Sequence, residues 1–440
     1  MIQILRQVGT LMLSFGILLL ATGTFNTFIA VRSSLEGFPP TYTGLMMSGF
    51  YLGGIIAALY CSRLINRVGH IRAFAAFGAL CAVVVLVHPF FISPVLWIIL
   101  RAFLGFAVSG LYMCTESWLN ERVTPETRGT ILSLHAMVTF LGMGGGQLMI
   151  NAGSPVGPDL FMIAALLFAL GIIPIVLTRQ IHPEPLSTGH FGLTQLYEAS
   201  PSGVVACVAG GLCSGSLLAV GPVFGQELGL STGQLSQLMT AFVMSGLLFQ
   251  LPVGWLSDLM DRRLVIACSA LLMLLAASGM LWLLNAYTGA DGYDWASYGI
   301  HTLVAAGVFG GVIATFYPLG IAYANDYLEP EQRVQASGAL VLSFTMGAVA
   351  GSALSAGSVE VLGPPGLMVF NSAVAVFLVV FIGYRRRRRS WAGVATKESF
   401  QTVPEAIGTP GGWEFDPRWE DESEAHYDMR GPVEDRERVE

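Results

Sequence analysis

Two charged residues stand inside apolar stretches, where a charge needs a reason. Arg101 lies in Ile98-Ile-Leu-Arg-Ala-Phe-Leu-Gly105, and Glu116 opens Glu116-Ser-Trp-Leu-Asn120 after another apolar run. In a membrane helix a central charge costs about 2.5–3.5 kcal/mol by insertion scales, so such residues tend to be functional. A carboxyl enclosed by apolar groups can load and release a proton, which makes Glu116 a candidate proton carrier. It suits equally an inner-end gate in which it pairs with Arg67, Arg72 or Arg128. Arg101 can polarise a carboxyl, a carbonyl or an anionic cargo, or it can snorkel to headgroups near its helix start. The two are fifteen residues apart, or about 22 Å along one straight helix, so they cannot bridge directly.

A second group sits at short turns between apolar runs. Asn66, Arg67 and Arg72 occupy one turn, and Asp258, Arg262 and Arg263 another. Arg128 and Arg333 each follow a Pro-Glu pair, Pro125-Glu126 and Pro330-Glu331. Acids and arginines placed this way can latch neighbouring helix ends through charge-assisted bonds, or serve only as loop charge. A third group, Asn26, His135, Gln147, Asn151, Gln250, His301, Tyr317 and Asn371, is polar within apolar runs. Each is a candidate cargo contact or an interhelical hydrogen-bond partner.

Other chemistries lack their residues. No His, Cys and carboxylate cluster has metal-ligand spacing, no glycine-rich phosphate loop precedes a basic residue, and no nucleophile–base pair is apparent. The six cysteines lie in or beside apolar runs without a C-x-x-C pair and read as small buried hydrophobes. The sequence therefore implies no enzyme, no cofactor, no metal and no nucleic-acid partner.

The elements that position these residues follow from composition. The 440-residue chain is 54% hydrophobic and only 12% charged, against about 25% charged in soluble domains. A bilayer span takes about 20 mainly apolar residues, and twelve such stretches begin near residues 8, 42, 71, 95, 130, 160, 203, 234, 264, 299, 336 and 365. Helices are expected because open strands leave backbone groups unsatisfied in lipid. The first stretch is too long for a signal peptide and lacks a convincing cleavage site. Of the 22 Lys and Arg, only Arg32 falls on the outer side and Arg101 within a span; the rest share one side. That side is expected to be the cytoplasm, with both termini there.

The chain also repeats itself. Gly105, Tyr112, Asn120, Pro125, Arg128, Gly142 and Gly146 recur 205 positions later as Gly310, Tyr317, Asn325, Pro330, Arg333, Gly347 and Gly351. The offset is 192 around the second and eighth stretches, and a longer outer loop at 285–298 accounts for most of the change. Duplication inside a hydrophobic chain implies a transporter built from two equivalent halves with its site between them. The expected organisation is an N-terminal six-helix half over 1–178, a cytoplasmic linker over 179–202 and a C-terminal half over 203–384. Residues 385–440 form a tail, basic at Arg385–Arg389 and then acidic, whose composition cannot order itself.

These features resemble the major facilitator superfamily over about residues 1–384. Its signature between the second and third helices, roughly G-x-L-x-D-R-x-G-R-R, is matched by Gly254-Trp-Leu-Ser-Asp258-Leu-Met-Asp261-Arg262-Arg263. Ser62-Arg-Leu-Ile-Asn66-Arg67-Val-Gly69-His70-Ile-Arg72 is a degraded first copy without the initial glycine or the acid. Arg101-x-x-x-Gly105 resembles the family's fourth-helix signature, and Glu116-Ser-Trp-Leu-Asn120 with Pro125-Glu-x-Arg128-Gly resembles a YcaD-like bacterial branch. The antiporter signature, a glycine run ending G-P, is absent because Gly146 is followed by Gln147.

The resemblance implies an all-α fold of twelve transmembrane helices in two pseudo-symmetric halves. It implies a monomeric secondary transporter of a small organic solute in the bacterial cytoplasmic membrane, working by alternating access. Proton coupling through Glu116, tuned by Arg101, is expected from the unmatched charges of the first half. The few charged cavity groups favour an amphipathic or weakly charged solute. Arg385–Arg389 would bind anionic lipid. The alternative is a membrane sensor or scaffold that signals through the tail, since fold alone does not guarantee transport.

Overall fold

In a computed structural model of the chain, residues 2–122, 128–177, 192–289, 292–328, 330–388 and 400 are described. Twelve long helices dominate. The first six are α1 (Ile2–Leu35), α2 (Pro40–Val68), α3 (His70–Val87), α4 (Pro94–Arg122), α5 (Arg128–Leu148) and α6 (Asp159–Val176). A short helix, α7 (Leu193–Ala199), precedes the second six. These are α8 (Pro201–Glu227), α9 (Thr232–Leu259), α10 (Arg262–Tyr287), α11 (Trp295–Asn325), α12 (Pro330–Leu362) and α13 (Pro365–Arg388). Among the described residues, eleven helices are long and apolar enough to cross a membrane; the remaining long one, α5, packs along α1 and α9 in the same bundle.

Local sequence sets the helix starts. Pro40, Pro94, Pro201, Pro330 and Pro365 each take the first helical position, where a missing N–H costs nothing. Ser231 accepts a bond from Gln234 N–H at 3.3 Å while the Gln234 side chain accepts from Ser231 N–H at 2.8 Å, a capping box that opens α9. The turn between α2 and α3 is the single residue Gly69, whose φ of 87° is a left-handed value that glycine tolerates. The loop expected over 285–298 is shorter, because α10 runs on to Tyr287 and α11 starts at Trp295; between them β1 (Thr288–Gly289) pairs with β2 (Gly292–Tyr293).

The two sets of six repeat one another in packing as well as in sequence. The pairs α1/α5, α2/α4, α3/α6 and α1/α6 recur as α8/α12, α9/α11, α10/α13 and α8/α13. The contacts that make them recur residue by residue. Gly105 of α4 lies against the Phe50 carbonyl of α2, and Gly310 of α11 lies against the Phe242 carbonyl of α9. Gly146 faces the Leu20 carbonyl, and Gly351 faces that of Leu212. Small residues let the backbones approach, which replaces the hydrophobic drive that lipid removes. The sets meet through α1 and α8, α2 and α12, and α5 and α9.

The segment read as a linker contributes α7 and the first residues of α8, while its residues 179–191 lie outside the described residues. Of the tail, Arg385–Arg388 continue α13 and Phe400 packs against the core; Arg389 and the remainder lie outside the described residues.

Candidate functional site between the two helix sets

A cavity of about 70 Å³ lies between the two sets. Thr139, Phe140 and Met143 of α5 form one wall, and Phe242 and Val243 of α9 another. Ser214, Leu217 and Leu218 of α8 with Gly310, Ile313 and Ala314 of α11 complete it. A smaller pocket of about 10 Å³ shares Met143 and Leu218 with it and is lined by Thr22, Asn26, Met47, Phe50, Tyr51 and Tyr112. The repeat relates the two. Thr22, Asn26, Phe50 and Tyr51 of the small pocket correspond, 192 positions on, to Ser214, Leu218, Phe242 and Val243 of the large one. Two of the four pairs have diverged from polar to apolar, Asn26 to Leu218 and Tyr51 to Val243, while Thr22/Ser214 and Phe50/Phe242 keep their character.

Arg101 stands behind the small pocket. Its guanidinium donates to Asn26 Oδ1 at 2.9 Å and to Met47 Sδ at 2.8 Å, and it lies 4.4 Å from the Phe50 ring centroid. Its side chain is fully buried, so it does not snorkel outward. Glu116 is also buried, one helical turn beyond Tyr112 on α4. Fifteen residues keep it about 22 Å from Arg101 along the helix, so the structure does not bring the two together.

Of the polar candidates, Asn26 lines the small pocket. His135 is buried and stacked on Phe15 at 5.0 Å, one turn before the cavity residue Thr139. Others tie helices together. Thr27 donates to Gln147, Gln250 donates to the Ala314 carbonyl at 3.0 Å, and Asn371 donates to Ser216 at 2.8 Å. Tyr317 packs on Phe344 at 4.7 Å. His301 is exposed near Tyr298, and Asn151 is exposed while donating to Ser236 at 2.8 Å. None of these last six lines either pocket. In the sequence a polar residue inside an apolar run signals only that it needs a partner, and a neighbouring helix satisfies that need as well as a cargo does. The apolar lining residues, chiefly Phe140, Met143, Leu217 and Phe242, were not singled out. For Phe242 the repeat held the signal, since it is Phe50's counterpart.

The turn residues behave differently in the two halves. Arg262 donates to Asp258 at 3.1 Å and lies 3.4 Å from Asp326 at the end of α11. Arg263 chelates Asp261 with contacts of 3.0–3.3 Å, and Arg386 of α13 approaches the same carboxylate at 3.8 Å. The Phe400 backbone N–H donates to both Asp258 oxygens at 2.9 and 3.1 Å, with its ring over Gly254. In the first half Asn66, Arg67 and Arg72 are exposed, and no ion pair joins them among the described residues. There His70 bonds Ser117 at 2.9 Å, and Trp118 packs on His70 and Phe74, contacts that tie that turn to α4. Arg333 donates to the Leu328 carbonyl at 3.0 Å, and the Arg128 side chain lies outside the described residues.

Several bonds join the two sets at the end remote from this basic cluster. Gln226 donates to the Val31 carbonyl at 3.3 Å, Thr41 donates to Glu360, and Asn151 reaches Ser236.

The family model of the Major Facilitator Superfamily matches residues 11–231 and again 203–415. The chain belongs to that superfamily. This facilitator is 25% identical to the MFS-type transporter YcaD of Escherichia fergusonii over 355 residues, which covers 80% of the chain and 88% of the relative. In fold it resembles a mutant of the nucleoside transporter NupG, with a TM-score of 0.70 at 16% identity over 86% of this chain and 99% of that one. It also resembles a bacterial homologue of the human lysosomal transporter Spinster in an inward-facing, occupied conformation. There the TM-score is 0.65 at 13% identity, over 89% of this chain and 98% of that one. The facilitator is therefore a multi-pass membrane protein of transporter type with the fold that its repeat implied.

Proposed function

We propose that this chain is a secondary active transporter that carries a small amphipathic solute across the bacterial cytoplasmic membrane by alternating access. The observation that carries the reading is a cavity enclosed between the two helix sets and lined by helices of both. Rocking of the sets about it would open each side in turn. The bonds at the end remote from the arginines, Thr41 to Glu360 among them, support a state in which that end is closed. Basic residues orient the opposite end, and both termini, toward the cytoplasm. Arg385–Arg388 at the end of α13 are placed to meet anionic lipid. The chain acts as a monomer, without a cofactor.

Comparing metabolites in cells and medium of a deletion strain and an overexpressor tests this. A compound that moves in opposite senses in the two strains is the expected result; no gene-dependent compound would defeat the transporter reading.

Proton coupling through Glu116 is the second part of the proposal. Glu116→Gln is expected to lower gradient-driven accumulation at least tenfold while leaving downhill exchange of the same solute intact. Full accumulation in that variant would remove Glu116 from the coupling path.

Alternating access also requires the closed end to part. Cysteines at 41 and 360, in a background with the exposed Cys268 changed to serine, are expected to cross-link readily and stop transport until reduced. Transport that continues in the cross-linked protein would refute this gate.

The Phe400 contact with Asp258 favours one other reading, a sensor or scaffold in which the tail carries the output. Deleting residues 390–440 separates the two: a transporter keeps moving cargo, whereas a sensor loses its function.

A further inference from the structure

Arg101 is a fully buried guanidinium whose observed partners carry no negative charge. It has five N–H donors and can accept nothing. One goes to the amide oxygen of Asn26 and one to the Met47 thioether, a weak acceptor. Nε has no hydrogen-bond partner among the described residues. A buried charge left without a counter-ion is strongly destabilising, so its retention calls for an anion that arrives from outside. The second half offers no counterpart, because the equivalent position is Ala306. Duplication alone does not explain the arginine.

The neighbouring pocket has the matching features. Of the residues around the guanidinium, Asn26, Met47 and Phe50 line it, whereas Phe25 does not. The Tyr112 hydroxyl also lies on that wall, buried and without a hydrogen-bond partner among the described residues. An anion that displaces the Met47 sulfur would exchange a weak acceptor for a charged one. Arg101 stands behind the pocket wall, and no cation lines either pocket, so the one guanidinium limits the head to a single negative charge. The adjoining larger cavity, reached past Met143 and Leu218, is almost wholly apolar.

We propose that the small pocket binds the head of a monoanionic amphipath, a carboxylate on an apolar body. Arg101 is its counter-ion, reached when the Met47 sulfur gives way, while the body lies toward the larger apolar cavity. This rests on the transporter reading for the claim that the bound molecule is cargo.

The test uses the full chain in lipid nanodiscs and three probes with one body: 4-phenylbutyrate, its amide and 4-phenylbutylammonium. Ligand-dependent thermal stabilisation reports binding. The carboxylate is expected to stabilise saturably, the amide to bind at least tenfold more weakly, and the ammonium not at all. Arg101→Lys should retain part of the effect and Arg101→Gln none. Equal binding of amide or ammonium, unchanged binding in Arg101→Gln, or no response to the carboxylate would overturn the site. The three-probe comparison needs only the wild-type chain, so a poorly folding variant leaves it decisive. Proteoliposomes separate the two claims. Binding without movement defeats the transporter reading and keeps the site, whereas movement of the amide or ammonium alone does the reverse.

Discussion

Gly105→Ala is expected to destabilise the protein by about 3 kcal/mol, at the upper end of what overpacking costs. A Cβ at Gly105 would overlap the Phe50 carbonyl oxygen and come within 2.9 Å of the Phe50 Cα. Both are backbone atoms of a packed helix, so no side chain can rotate away and α2 must separate from α4. That separation would also pull Phe50 from its place over the Arg101 guanidinium. The repeat makes the experiment double. Gly310→Ala meets the Phe242 Cα at 2.7 Å and should cost as much. Gly279, in α10, has nothing within 4 Å of the added carbon, and Gly279→Ala should leave the unfolding temperature unchanged or slightly raised. Thermal unfolding of the three purified variants decides the matter. Equal stability of all three would mean that close backbone approach does not hold the helix pairs.

The second large effect is expected at the charged turn. The Arg262 side chain is fully buried, and its two acids differ in exposure, 6% for Asp326 against 36% for Asp258. Breaking a buried pair costs about 3–5 kcal/mol because the remaining charge is left uncompensated, while exposed pairs are worth about 0–1 kcal/mol. Asp326→Asn should therefore cost about 3 kcal/mol, and Asp258→Asn about 1 kcal/mol or less, since asparagine keeps an oxygen for Arg262 and for the Phe400 N–H. The ranking runs against the family signature, which emphasises the acid matched here by Asp258. Unfolding temperatures of the two variants measure it, and an Asp258→Asn loss equal to or above that of Asp326→Asn would reverse the assignment. The difference has a structural reason. Asp326 follows α11 and Asp258 ends α9 beside the turn, so of the two Arg262 ion pairs only that with Asp326 joins distant parts of the chain.

Some of this was legible beforehand from local pattern. Twelve apolar runs, the proline starts and the basic turns depend on residues close in the chain, and lipid leaves helices as the economical answer. The glycines of the repeat carried long-range information as well. Gly105 and Gly310 marked equivalent positions, and each proved to face the carbonyl of an equivalent phenylalanine. The same logic extended to Phe242, but the polar residues drew attention first.

What the sequence by itself determined is the class of element, the duplication and the family, because these rest on period, length and local chemistry. Tertiary structure alone decided which polar groups meet cargo space and which meet each other. Gln250 and Asn371 read like Asn26 along the chain, yet they bond to neighbouring helices, while Asn26 holds Arg101 at a pocket wall. A helix of 3.6 residues per turn offers several faces, and only its packing neighbours determine which face looks into the cavity. Arg101 shows the same limit. Its charge was conspicuous in the sequence, but the absence of an acid among its observed partners became visible only once α1, α2 and α4 were packed around it.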